Sequence, residues 1–261
     1  MSVAALSLLG ARMLATAAIV LAASLAVERV GPFLGAIVAT LPVSAGPAYL
    51  FLSLDHPPSF VAGAALTSLL SVGATAAFVT AYAAVAWRCG TVLALLAGLA
   101  GWAVSLFGLS HISWTGWTAF ASSVGLTVAA MVATAPARRQ VIPKPPSATA
   151  LQIAIRACTV MALVVATTLI GQALGPGPAG YAAMVPVVFV SLIALLQPRM
   201  GGPAVAGLMS HALAGMLGYG PALLLLHLAA EPLGSGWALI LALATCLAWN
   251  GALIVLRRAL G

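Results

Sequence analysis

Charge is what this chain has least of. Only 5% of its 261 residues are Asp, Glu, Lys or Arg, and just three are acidic. A soluble domain carries about 25% charged residues, and a globule of this size could not clothe its surface with so few. A soluble enzyme and a disordered chain are therefore excluded. So is a nucleic-acid binder, because the net charge of +7 has no polar face to spread over. Cysteine is scarce as well. Cys89, Cys158 and Cys246 are scattered, with no metal or redox spacing, and they read as small apolar fillers. Paired carboxylates, HExxH, a Walker loop, GxSxG and CxxC are all missing, which argues against an ATPase, a zinc protease or a serine hydrolase. The sequence asks for no cofactor and no metal.

Apolar residues make up 63% of the chain, with 26 glycines and 16 prolines. Apolar runs of 18 to 28 residues exceed the alternating segments of about ten residues that build a membrane barrel. The expectation is an all-α, polytopic integral membrane protein. A span needs about 20 apolar residues, and Gly, Pro and charge punctuation gives nine: 6–27, 32–53, 60–87, 91–109, 114–134, 151–173, 179–197, 203–229 and 237–256. The third and eighth are long, so tilt or a kink is expected there. Between spans lie short loops and one linker, Ala135–Ala150.

Nine crossings put nine of the ten basic residues on one side and leave Arg12 on the other. The positive-inside rule makes the richer side cytoplasmic, with the N-terminus outside and the C-terminus inside, in a cell inner membrane. Residues 1–27 can also be read as a signal peptide with Arg12 in its charged region, or the chain could start at Met13. An internal repeat argues against both. Displaced by 144 residues, Arg12 falls on Arg156, Gly31-Pro32 on Gly175-Pro176, Pro42-Val43 on Pro186-Val187, Gly63 on Gly207 and Gly90 on Gly234. The chain then divides into a four-span unit at 1–113, a connecting span at 114–134, a cytoplasmic linker at 135–150 and a second four-span unit at 151–261. Five crossings separate equivalent positions, so the second unit is inverted relative to the first. Inverted repeats are characteristic of secondary transporters; duplication that only enlarges a bundle is the plainer alternative.

The stretches GAIVATLPVSAGPAYLFL at 35–52 and GYAAMVPVVFVSLIALL at 180–196 resemble the second span of the small four-span GlpM-like inner-membrane proteins. The resemblance covers each unit separately. It implies a duplicated architecture and brings no mechanism with it.

Few residues can carry chemistry. Arg12 and Arg156 lie among apolar neighbours, where a central charge costs about 2.5–3.5 kcal/mol. They read either as cationic sites for an anionic substrate or as side chains snorkelling to headgroups. Pro42 and Pro186 fall mid-span, where proline frees a backbone carbonyl. Around Pro42, Thr40 and Ser44 add hydroxyls, which suggests a broken helix lining a cavity; a packed kink is the alternative. His211 lies deep in the eighth span, as a proton shuttle or a packing hydrogen bond, and Tyr219-Gly220-Pro221 could hinge that span. Glu28, Asp55 and Glu231 sit at span ends, so the usual carboxylate relay is missing. Trp87, Trp114, Trp117 and Trp237 read as an interfacial belt.

The leading expectation is a secondary transporter or exporter of a small anionic metabolite, working by alternating access. Arg12, Arg156, Thr40, Pro42, Ser44, Pro186 and His211 would form the substrate site. The alternatives are a non-transporting assembly or accessory protein and a lipid flippase; an enzyme is not expected. Membrane lipids and the substrate are the expected partners, and small-residue faces leave room for a homo-oligomer. Nine arginines against one lysine suggest a bacterium of high genomic GC content. With cysteine introduced into a background lacking Cys89, Cys158 and Cys246, a membrane-impermeant thiol reagent added to intact cells should label position 57 and spare position 140. Reversed labelling would invert the orientation.

Overall fold

The computed structural model describes residues 45–140, 142–143 and 149–260, together with Ala15 and Ala18. Helix is the only regular structure among the described residues. The elements are α1 (Ala45–Asp55), α2 (Pro58–Val85), α3 (Thr91–Ser110), α4 (Gly116–Ala133), the short α5 (Ala135–Arg138), α6 (Ala150–Leu174), α7 (Pro176–Ala183), α8 (Val187–Met200), α9 (Gly202–Met216), α10 (Tyr219–Leu233) and α11 (Ser235–Leu260). Among the described residues, seven stretches are long and apolar enough to cross a membrane: 58–85, 91–110, 116–133, 153–174, 176–200, 202–233 and 235–256. They correspond to the third to ninth expected spans. The first expected span lies outside the described residues except for Ala15 and Ala18, and the second is described only from Ala45 onward.

Local chemistry explains where these helices begin. Pro58 opens α2 at a position whose N–H would have no helical partner in any case. Thr115 and Thr118 form a reciprocal capping box at α4, each side chain bonding the other's backbone N–H, at 3.3 and 3.0 Å. Gly175, Gly201 and Gly234 turn the chain between helices with φ of 88°, 83° and 81°, a conformation open to glycine without strain.

Helix α2 is the centre of the bundle, packed against α3, α4, α7, α9 and α10. In its most apolar window 72% of residues are buried, against 11% in each of α3 and α11, which present apolar side chains outward. Of the two long spans, α2 runs unbroken through 28 residues. The stretch 202–233 breaks at Leu217–Gly218, between α9 and α10, just before the Tyr219-Gly220-Pro221 hinge. Pro221 can offer no N–H to the carbonyl of Leu217 and crowds it.

Charge is segregated along the bundle. Asp55 lies just before α2 and Arg88 just after it, so they mark opposite ends. The hydrogen bond from His227 to Ala62 puts the end of α10, and so Glu231, at the Asp55 end. Gln197 bonded to Cys89 puts Arg199 at the Arg88 end. Arg138 belongs there too, donating to Met131 O at 2.6 Å beside Ala137, which packs on Gly207 of α9. The described carboxylates therefore sit at one end and Arg88, Arg138, Arg139 and Arg199 at the other.

Small residues allow these contacts. A Cβ at Gly180 would run into Ala64 O and Thr67 Oγ1, whereas one at Gly90 would meet nothing. Gly180→Ala should therefore lower stability by about 1–3 kcal/mol, read as a lower unfolding midpoint in detergent, and Gly90→Ala should leave the packing undisturbed.

Candidate functional site

One irregularity lies within the stretch 176–200, between α7 and α8. Helix α7 ends at Ala183, Met184 and Val185 are not helical, and Pro186 caps α8. The cause is local. Pro186 has no N–H for the carbonyl of Ala182 and its ring crowds that carbonyl, and the residue before a proline is pushed away from helical dihedrals. The last turn of α7 tightens instead, with Met184 N bonding Tyr181 O at 3.3 Å and Val185 N bonding Ala182 O at 3.2 Å. Gly180 O thereby loses the donor that an unbroken helix would give it.

Helix α2 supplies the replacement. Ser68 Oγ donates to Gly180 O at 2.8 Å, Thr67 Oγ1 to Gly177 O at 3.0 Å and Ser71 Oγ to Tyr181 O at 3.4 Å. Because the Ser68 proton is spent on Gly180, Tyr49 of α1 is the donor in the 2.7 Å contact between the two hydroxyls. Three helices are thus tied together through one freed carbonyl. Thr75 lies one turn beyond Ser71 on the same face, with Phe78 next to it and 6.4 Å from the Phe189 ring. Ser71 and Thr75 are both buried. The face running Ser71, Thr75, Phe78 therefore lies opposite the break.

The second break, at Leu217–Gly218, follows the same rule. Gly218 N turns to Gly215 O at 3.1 Å, and Trp249 Nε1 of α11 fills the vacated Ala214 O at 2.9 Å. The Trp249 ring lies directly over Gly218, where a Cβ would sit 2.8 Å from it. Cys246 Sγ adds a weak contact to Gly218 O at 3.8 Å.

The expected site residues are unevenly represented. Arg12, Thr40, Pro42 and Ser44 lie outside the described residues. Arg156 is in the second turn of α6, and its side chain is likewise outside them. Pro186 is at the break. His211 is on α9, half-buried and already engaged. Of the cysteines, Cys246 alone is buried and all three are free.

Other polar contacts went unread in the sequence. His227 donates from Nδ1 to Ala62 O at 2.9 Å, since a carbonyl can only accept, and its ring covers Gly116. Buried Gln197 accepts from Tyr82 OH at 2.9 Å and donates to Cys89 O at 3.3 Å, closing the Arg88 end of the bundle. The one signal available for the break's partners was the spacing of Ser68, Ser71 and Thr75 on a single face of an apolar span.

Comparison of the chain with protein-family models, with curated proteins and with solved structures finds no match. No group of three or more His, Cys, Asp or Glu side chains suited to a metal ion occurs among the described residues.

A carbonyl capped inside a membrane is worth more than its bond, because the alternative is an unsatisfied group in an apolar medium. Ser68→Ala should therefore cost about 1–3 kcal/mol of stability in detergent unfolding, and Trp249→Phe, which keeps the ring and loses the N–H, about 1–2 kcal/mol. A stability unchanged in both variants would mean that these bonds do not hold the breaks.

Proposed function

We propose that this protein is a secondary transporter, or exporter, of a small metabolite bearing a negative charge. The observation that carries the reading is the break at Met184–Pro186. It lies within an apolar stretch of 25 residues and faces buried hydroxyls of the central helix. Irregular backbone at membrane depth is tolerated where it is enclosed by protein or lines a cavity, and broken helices at matching positions of two halves mark transporter sites.

The inverted repeat belongs to the same proposal. Helix starts at Pro58 and Gly202, and at Thr91 and Ser235, are separated by the same 144 residues that pair Arg12 with Arg156 and Pro42 with Pro186. The burial pattern follows this pairing, with α2 and the α9–α10 stretch enclosed and α3 and α11 peripheral. In this reading nine spans form two opposed units of GlpM-like architecture in a bacterial inner membrane. The segregation of arginines from acids supports the N-outside, C-inside orientation. Rocking of the units would expose the break to each side in turn. Arg12 and Arg156 would draw in the substrate's negative charge, and Thr40, Ser44 and His211 would complete the polar surroundings.

Reconstituted vesicles loaded against a panel of labelled organic and inorganic anions should accumulate at least one of them. Arg156→Gln should slow that uptake by about tenfold or more, the rate equivalent of 1.4 kcal/mol of lost transition-state stabilisation. No uptake of any anion, with both Arg12→Gln and Arg156→Gln indistinguishable from wild type, would remove the proposal.

A further inference from the structure

The arginine end of the bundle carries a positive surface with no counter-ion among the described residues. Arg88 follows α2, and Arg199 lies in the last turn of α8. Gln197 ties the two segments together. Its side chain donates to Cys89 O at 3.3 Å and accepts from Tyr82 OH at 2.9 Å, and Gly202 packs against Ala86. The two arginines therefore stand on adjoining segments, and both are exposed. The described carboxylates are out of reach. Asp55 and Glu231 sit at the far end of α2, whose 28 residues span about 40 Å.

The same place borders an apolar surface. Trp87, next to Arg88, is 44% exposed, and Val92, Leu93 and Leu96 in the first turns of α3 are 72%, 56% and 56% exposed. Helix α3 runs from here along the outside of the bundle, with only 11% of its most apolar window buried. A positive end, an indole beside it and an apolar strip leading away match the layout of a phospholipid, from phosphate through the interface to acyl chain. Arginine suits the phosphate, because its planar fork can hold two oxygens at once. Other occupants fit less well. A second copy in the same orientation would set its own Arg88 against this one, like charge on like. A soluble anion would use the arginines and leave the apolar strip uncovered. A choline headgroup brings its own cation towards the arginines, whereas a headgroup of net negative charge does not.

We infer that the surface formed by Trp87, Arg88, Arg199 and the outward face of α3 holds an anionic phospholipid, its phosphate on the two guanidinium groups and an acyl chain along Val92, Leu93 and Leu96. The inference asks only that the apolar helices lie in a bilayer, and it is independent of the transport reading.

Native mass spectrometry of the full chain released from detergent tests this, with phosphatidylglycerol or phosphatidylcholine of matched chains as titrant. Phosphatidylglycerol should bind at least about tenfold more tightly. Arg88→Gln combined with Arg199→Gln should bring its affinity down to the phosphatidylcholine level. Arg139 is exposed at the same end but follows α5, which packs on α9, so Arg139→Gln should leave the affinity within about twofold. Because both arginines of the site are exposed, the double variant should keep its unfolding midpoint in phosphatidylcholine, which separates a lost site from a lost fold. Inorganic phosphate should not displace the lipid. The inference is overturned if wild type binds phosphatidylcholine as tightly as phosphatidylglycerol, or if inorganic phosphate displaces the lipid. It is overturned equally if the double variant keeps the preference, or if Arg139→Gln weakens binding as much as the double variant does, the mark of a diffuse field without a site.

Discussion

A membrane interior offers no water, so every backbone N–H and C=O must find its partner in the protein. That constraint governs this bundle more than any apolar contact. Helices break at Pro186 and just before Pro221, and each break releases carbonyls that the helix itself can no longer serve. The neighbours of the breaks are the residues that answer this need. Ser68 covers Gly180 and is covered in turn by Tyr49, and Trp249 covers Ala214. The central position of α2 follows from the same need, because its hydroxyls face α7 along the whole of that short helix.

The two breaks are served by different side chains. At Leu217–Gly218 the indole of Trp249 lies over the kink and Cys246 adds a further contact. At Met184–Pro186 the hydroxyls of α2 do this work, reaching Gly177, Gly180 and Tyr181.

Much of this was legible in the sequence. Seven of the expected spans correspond to described helical stretches because apolar length and Gly/Pro punctuation are local properties, written in consecutive residues. The disruption at Pro186 was legible for the same reason, since proline acts on the carbonyl four residues back. The kink before Pro221 was legible to within a turn. What could not be read were the partners. That Ser68 meets Gly180, or that Trp249 meets Ala214, depends on which helices lie side by side. In a chain this uniform in Ala, Leu and Val, no pattern of consecutive residues encodes adjacency. Trp249 was not singled out at all, and His227 was passed over although it joins α10 to α2. The deep arginines illustrate the opposite limit. Arg12 and Arg156 stood out because charge is so rare here, and rarity fixes attention without fixing a role.

The central claim is that the unwound segment between α7 and α8 lines a path open to water in at least one state of the protein. A single cysteine at Val185, in a chain otherwise free of cysteine, tests it directly in sealed vesicles of known orientation. The account predicts that a small water-soluble thiol reagent modifies this position from the aqueous phase and that transported solute slows the reaction, while a cysteine at Ala76, buried mid-span in α2, stays unmodified. A Val185 cysteine as unreactive as the one at Ala76, in the presence and absence of solute, would contradict it.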